Sequence, residues 1–229
     1  MTMPRIVLAT PHARFDALEQ ALRARGADVL RIREREALTS DALSKHAPRY
    51  VFFPHWSWRI PAEIHQKFEC VIFHMTDVPF GRGGSPLQNL VMRGIENTRL
   101  TALLCVDEMD AGPVYLKRDL STLGAAEEVF LRARGLMESM ILEIVEQEPQ
   151  PVPQRGEVVT FTRRTPAEGD LKAAESLSQL YDMVRMLDAD GYPPAFLDCG
   201  GWHLEFSRAS LKDDCVVADV RIRRKKENP

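Results

Sequence analysis

The chain has 229 residues, of which 45% are hydrophobic and 28% are charged, an ordinary composition for a globular protein. Its 33 acidic and 30 basic side chains give a net charge of −3, which provides no positive field for nucleic acid. No apolar run approaches the ~20 residues that a membrane span requires. The four cysteines are widely spaced, which favours reduced thiols over a disulfide framework or a zinc site. We therefore expect a cytoplasmic globular protein with no nucleic-acid partner, no membrane partner and no metal.

Apolar runs alternate with segments of helical periodicity through the first 147 residues. The alternation predicts right-handed crossovers and a Rossmann-like, mostly parallel α/β sheet with helices on both faces. Strands are predicted at residues 5–10, 27–32, 50–53, 70–73 and 100–106, and helices at residues 15–25, 38–45, 61–68, 85–92 and 125–147.

A proline-rich segment separates this region from the remainder of the chain. Three prolines within residues 148–154 cannot continue the preceding helix, which indicates an extended linker. Beyond it, one helix and several short strands are predicted. We therefore predict an α/β domain at residues 1–147, a linker at residues 148–154 and a small α+β subdomain at residues 155–229.

Two of the predicted strands are followed by titratable side chains. The fourth strand ends at His74, and the fifth leads into an acidic turn that contains Asp110. If the two strands are parallel, their carboxyl ends bring an imidazole and a carboxylate together, where open α/β sheets place their chemistry. The alternatives are a core histidine bonded to the backbone and a solvated acidic turn.

Residues 70–112 resemble the formyltransferases that use 10-formyltetrahydrofolate. That family pairs the motif Asn-x-His-x-Ser-Leu-Leu-Pro, followed by Arg-Gly and Pro, with a later Asp-x-Gly. The residues in register here are His74, Thr76, Pro79, Arg82, Gly83, Pro86, Asp110, Ala111 and Gly112. One departure matters for the chemistry, because Ile72 stands where the family has Asn.

The resemblance implies formyl transfer to a primary amine, with His74 and Asp110 as the catalytic residues that govern proton transfer. Each such step is typically worth ~10²–10⁴-fold. In the family, the Asn amide helps to hold the developing oxyanion, and the loss of one such donor costs ~10²–10³-fold. The candidates to replace it beside Ile72 are His55, Thr76, Gln88, Asn89 or a backbone N–H.

The resemblance also implies a folate pocket and an acceptor site. The aromatic segment after the third strand suits a planar pterin, with core packing as the alternative. The residues predicted to contact the folate are Pro54, His55, Trp56, Trp58, Ile60, Asp107 and Met109. Those predicted to contact the acceptor are Thr76, Arg82, Gly83, Gln88 and Asn89.

The expected acceptor is the 4-amino group of a nucleotide-linked, UDP-type amino sugar used in bacterial surface glycans. The methionyl-tRNA enzymes of the family carry a larger C-terminal barrel and a basic surface, whereas this chain is slightly acidic. The motif wording also resembles members associated with nonulosonic acid synthesis. The alternatives are a methionyl-tRNA or purine-pathway formyltransferase, a non-catalytic folate- or sugar-nucleotide-binding module, and a nucleotide-binding dehydrogenase. A homodimer is left open.

Overall fold

The computed structural model of the chain describes residues 4–225. Within them, the strands are β1 (Arg5–Ala9), β2 (Asp28–Ile32), β3 (Tyr50–Phe53), β4 (Cys70–His74), β5 (Phe80–Gly83), β6 (Asn97–Leu104), β7 (Val114–Ser121), β8 (Val159–Phe161), β9 (Ala195–Cys199), β10 (Trp202–Leu211) and β11 (Val216–Arg224). The α-helices are α1 (Asp16–Ala24), α2 (Ser40–His46), α3 (Ala62–His65), α4 (Pro86–Val91), α5 (Ala126–Gln147) and α6 (Leu177–Arg185).

The central sheet has the strand order β2-β1-β3-β4-β6-β7. β1 is parallel to β2 and β3, and β3 is parallel to β4, so the predicted mostly parallel α/β sheet is confirmed. The chain passes from β1 outward to β2 and then returns to β3 on the other side of β1. The position between β1 and β3 is therefore a topological switch point, which is where open α/β sheets bind ligands.

The pairing of β4 with β6 differs from the prediction, because these two strands are antiparallel. Their carboxyl ends lie at opposite edges of the sheet, so the loop between β6 and β7, not a parallel strand end, carries Asp110. β5 and β7 are absent from the predicted elements for physical reasons. Glycines interrupt β5, and β7 is an edge strand in which polar side chains obscure the apolar alternation.

A hydrophobic core covers one face of this sheet. Val7 of β1, Val51 of β3 and Cys70 of β4 are completely buried in it, together with Leu43 of α2. Because side chains alternate along a strand, the residue two positions after Cys70 faces the same way. That residue is Ile72, which is partly buried and packs against this core.

The chain divides into two compact units whose segments alternate along the sequence. The first contains the residues up to Gly83, Arg99–Leu120 and Arg132–Thr160; the second contains Gly84–Thr98, Ser121–Leu131 and the residues from Phe161 onward. The second unit includes the antiparallel sheet β11-β10-β9. The predicted division into residues 1–147, 148–154 and 155–229 stays a prediction. Residues 1–3 and 226–229, which it includes, lie outside the described part of the chain.

The proline-rich segment is extended, as its composition indicates. Val152 and Val114 exchange backbone hydrogen bonds of 2.8 and 2.9 Å, which attaches the segment to β7. Across residues 4–225, the helices are all too short or too polar to cross a membrane.

Two glycines form a matched pair for testing how close packing affects stability. A Cβ at Gly112 would overlap the carbonyl oxygen of Leu104, whereas a Cβ at Gly135 in α5 would meet no atom within 4 Å. Gly112→Ala is expected to lower the free energy of unfolding by about 1–3 kcal/mol. Gly135→Ala is expected to raise it by about 0.5–1 kcal/mol, because alanine is the better helix former. Urea unfolding measures both, and equal effects would contradict the close approach at Gly112.

Candidate active site

The structure brings the two predicted catalytic residues together. His74 is the last residue of β4, and its Nδ1 lies 3.5 Å from Oδ2 of Asp110. Both side chains are largely withdrawn from solvent, with exposed fractions of 9% and 11%.

Two backbone groups of the glycine-rich segment orient the pair. The carbonyl oxygen of Gly81 lies 2.7 Å from Nε2 of His74, so this nitrogen carries the hydrogen of the neutral ring. The N–H of Gly83 donates to Oδ2 of Asp110 at 2.9 Å. Both glycines have positive φ angles, of 76° and 107°, which glycine adopts without strain. The glycines therefore serve the geometry of the His74–Asp110 pair.

Asp110 is held in a left-handed backbone conformation, with a φ of 54°. A non-glycine residue reaches this region at a cost, so the surrounding contacts must maintain it. Nε2 of Gln154 donates to the carbonyl oxygens of Asp110 and Gly112, each at 2.8 Å. Sequence reasoning missed Gln154, because its only local signal is its position at the end of the proline-rich segment.

Arg82 and Thr76, which were predicted to contact the acceptor, support the same loops. Arg82 donates to Oε1 of Gln154 at 2.9 and 3.1 Å and to Glu108 at 2.8 Å. The hydroxyl of Thr76 is buried and donates to the carbonyl oxygen of Gly81 at 3.2 Å. Contact of these residues, or of Gly83, with a substrate stays a prediction.

Gln88 and Asn89 belong to the second unit, where both are buried. The Gln88 amide donates to the Met186 carbonyl at 3.1 Å. The Asn89 amide donates at 3.0 Å to three carbonyl oxygens, those of Gly84, Ser85 and Thr162. These bonds satisfy buried backbone acceptors. An acceptor contact at Gln88 or Asn89 stays a prediction.

The aromatic segment after β3 forms an apolar wall in the first unit. Trp56 meets Phe53 and Trp58 edge to face, with ring centroids 5.7 and 4.8 Å apart. Ile60 is buried, and Trp58 is 37% exposed. The indole N–H of Trp56 is buried and has no acceptor within the described part of the chain. An apolar wall with one buried donor fits a planar heterocycle that carries a carbonyl, as a pterin does.

The other residues predicted to contact folate have different surroundings. Asp107 is 72% exposed and lies 3.5 Å from Nε2 of His65, and Met109 is 67% exposed on the same loop. Pro54 is buried, and the ring of His55 lies beside His12 with centroids 4.4 Å apart. A folate role for these four residues stays a prediction.

Two cysteines near the site lie in surroundings that disfavour the thiolate form. Cys105 donates its backbone N–H to the carbonyl of Cys70 at 2.8 Å, and both cysteines are free. Burial, assisted by the charges of Asp110 and Asp107, raises the pKa of Cys105 to about 11. Burial also raises the pKa of Cys70. Both therefore stay protonated at neutral pH, where the thiolate is the reactive form.

Comparison with known proteins identifies the family. Residues 166–223 match a model described as the C-terminal domain of methionyl-tRNA formyltransferase. A solved methionyl-tRNA formyltransferase from Clostridium thermocellum is 42% identical, with a TM-score of 0.93 and coverage of 96% of this chain and 99% of that chain. The chain belongs to the methionyl-tRNA formyltransferase-like family. The formyltransferase resemblance of residues 70–112 is thereby confirmed.

More distant structures share the fold of this chain. HypX from Aquifex aeolicus, solved in complex with tetrahydrofolic acid, is 21% identical with a TM-score of 0.72, covering 93% of this chain and 39% of that one. A sugar N-formyltransferase from Shewanella sp FDAARGOS_354 is 14% identical with a TM-score of 0.68, covering 100% of both. The chain spans about half the length of the curated relatives it matches. A methionyl-tRNA formyltransferase of Bacillus pumilus, for example, is 24% identical over a stretch that covers 61% of this chain and 45% of that relative's length.

Gln154→Leu tests whether Gln154 maintains the Asp110 loop. The substitution removes both donors to the loop carbonyls, so the hydrogen bond from the Gly83 N–H to Asp110 should open more often. We expect the amide of Gly83 to exchange with solvent about tenfold faster or more, as measured by hydrogen exchange. Gln150→Leu, at an exposed position of the same segment, is the matched control and should leave this rate unchanged. Unchanged protection in Gln154→Leu would contradict the role.

Proposed function

We propose that this protein transfers a formyl group from 10-formyltetrahydrofolate to a primary amine. The His74–Asp110 pair carries the proposal, because family membership and a buried imidazole–carboxylate contact meet at the same residues. The folate supplies the formyl carbon. The wall formed by Trp56, Trp58 and Ile60 would hold its pterin, with the Trp56 N–H directed at a ring carbonyl.

The geometry of the pair favours the uptake of a proton from the attacking amine. With the Nε2 hydrogen directed at Gly81, the neutral ring presents the lone pair of Nδ1 to the carboxylate of Asp110. Two acceptors that face each other repel, and one proton between them replaces this repulsion with an ionic hydrogen bond. The pair can therefore accept the amine proton and return it to the departing nitrogen, which is general base and then general acid catalysis.

The oxyanion requires a hydrogen-bond donor in place of the family Asn. Ile72 offers none, and its side chain packs against the core. Thr76, Gln88 and Asn89, which are three of the candidate replacements, donate to backbone carbonyls. His55 and backbone N–H groups remain as candidates. A site with one donor fewer is expected to turn over more slowly.

Methionyl-tRNA is the first acceptor to test. The relative that is 42% identical bears that name, and residues 166–223 match a C-terminal domain of that enzyme. These comparisons favour methionyl-tRNA, which the sequence analysis gave as an alternative acceptor, over the nucleotide-linked amino sugar that it expected first. The sugar remains the second candidate because the net charge of −3 provides little attraction for RNA.

A panel of acceptors tests the proposal. Purified protein is incubated with 10-formyltetrahydrofolate and either methionyl-tRNA or UDP- and dTDP-linked 4-amino sugars, and the products are analysed by mass spectrometry. We expect one formyl group on a single class of amine. Asp110→Asn keeps the shape but removes the charge, so it should lower kcat about 10²–10⁴-fold while tetrahydrofolate affinity changes little. Asp119→Asn, at a side chain that is 93% exposed, is the control.

Transfer to none of these amines, despite binding of tetrahydrofolate, would support the binding-module alternative. An equal loss of turnover and folate affinity in Asp110→Asn would contradict the proton-transfer role.

Ile72→Asn restores the amide that the family places beside the histidine. It is expected to raise kcat about tenfold or more, because an oxyanion donor is typically worth ~10²–10³-fold. It should also lower the free energy of unfolding by about 1–2 kcal/mol, because the amide replaces an apolar contact with the core. Ile72→Val, which adds no donor, is the control. Lower stability without a gain in kcat would show that another group already stabilises the oxyanion.

A further inference from the structure

The antiparallel sheet of the second unit has an open edge at β11. Its strand order is β11-β10-β9, and within residues 4–225 no strand pairs with the outer side of β11. The outer side of β9, by contrast, forms a bridge between Phe196 and Asp170. β11 has 9 residues, and the N–H and C=O groups along an open edge of this length are a template for pairing with another chain.

The face of this sheet that carries Phe206 is apolar and becomes exposed toward β11. Paired residues of antiparallel strands point to the same face, and Phe206 pairs with Ala195 on one side and with Val220 on the other. Ile222, opposite Leu204, lies on this face too. Ala195 is completely buried, whereas Val220 and Ile222 are 48% and 58% exposed. The apolar face is therefore covered at β9 and uncovered at the open edge.

Charged side chains on the opposite face of β11 limit which chain can pair with this edge. Asp219 and Arg221 are both exposed and lie two residues apart. Asp219 forms an exposed ion pair with Arg208, a type of contact that contributes little. Arg221 makes no ion pair within residues 4–225, and Glu205, opposite it on β10, pairs with Arg223 at 3.3 Å. An incoming strand therefore meets one negative and one positive charge.

We propose that β11 pairs antiparallel with β11 of a second copy of this chain, about a two-fold axis at Val220. In this register Asp219 lies opposite the partner's Arg221, and Arg221 lies opposite the partner's Asp219. Opposite charges directly across a strand pair are stabilising, and like charges are destabilising. The two adjacent registers place either Asp219 or Arg221 opposite its own copy, so the charges select the register at Val220. A strand that matches itself in this way meets the requirement for an isologous two-fold interface.

The same register joins the apolar faces of the two sheets. A two-fold axis perpendicular to the sheet keeps every side chain on its own face, so Val220 meets the partner's Val220 and Ile222 lies opposite the partner's Ala218. The product is one sheet with three strands from each copy. The exposed apolar residues at the open edge are thereby covered, and burial of apolar surface drives association. The proposal does not depend on formyl transfer.

Charge exchange tests the register by sedimentation equilibrium. Asp219→Arg and Arg221→Asp each place like charges opposite one another, so each should weaken the dimer about tenfold or more at low ionic strength. An equimolar mixture of the two variants should restore the dimer, because a strand with arginine at both positions then meets a strand with aspartate at both. Arg208→Gln removes the intrachain partner of Asp219 without changing β11 and is the control, whose dimer affinity should match that of the wild type.

Cysteine cross-linking tests the position of the axis. Val220→Cys is made in a background with Cys199→Ser and Cys215→Ser, because both native thiols are exposed. Paired residues of antiparallel strands have Cα atoms about 4.5–5.5 Å apart, within reach of a disulfide, so oxidised glutathione should yield a covalent dimer. Val217→Cys, at a residue that is 56% exposed, is the matched control. It should yield none, because its copy in the dimer lies about six residues, or roughly 20 Å, away along the strand.

Either experiment can overturn the proposal. A wild-type protein that stays monomeric up to its solubility limit would overturn the second copy and leave the edge to a different partner. A dimer that withstands both charge variants, or that cross-links equally at residues 217 and 220, would place the interface elsewhere. A mixture that fails to restore the dimer would overturn this register. Circular dichroism of each variant separates loss of the dimer from loss of the fold. If the dimer forms as expected but no amine is formylated, the proposed reaction fails and the interface stands.

Discussion

The contact between His74 and Asp110 depends on holding an aspartate in a backbone conformation that it does not prefer. The left-handed conformation of Asp110 places its carboxylate against both the imidazole and the N–H of Gly83. Left-handed conformations of non-glycine residues cost free energy, and they persist where surrounding contacts over-determine them. Here Gln154 supplies those contacts by bonding to the carbonyls on either side of Ala111.

This arrangement links three segments that are distant in the sequence. The end of β4 provides the histidine, the glycine-rich segment orients it, and the proline-rich segment fixes the loop with the carboxylate. Arg82 joins the second and third of these through Gln154. Because buried polar groups are costly when left unpaired, a change at one member of such a network is felt by the others. The geometry of the His74–Asp110 pair therefore depends on residues outside the pair itself.

The departure at Ile72 also has a structural meaning. Ile72 and His74 are two residues apart on β4, so their side chains point to the same face of the strand. On that face, Ile72 packs against the core formed by β1, β3 and α2. The side chain that replaces the family amide thus adds apolar packing where the family has a polar group. At the switch point, by contrast, polar side chains follow buried strands: the rings of His12 and His55 lie beside each other beyond the ends of β1 and β3.

The sequence by itself determined the α/β class, the order of most strands and helices, the family, and the two residues of the His74–Asp110 pair, because periodicity and short motifs are local properties of the chain. It did not determine the direction of β6, since strand direction depends on how a crossover returns to the sheet. The role of Gln154 and the meeting of His12 with His55 were likewise decided only by tertiary structure. Residues 44 and 43 positions apart, Gln154 with Asp110 and His55 with His12, come together through strand order and loop closure, which no local pattern encodes.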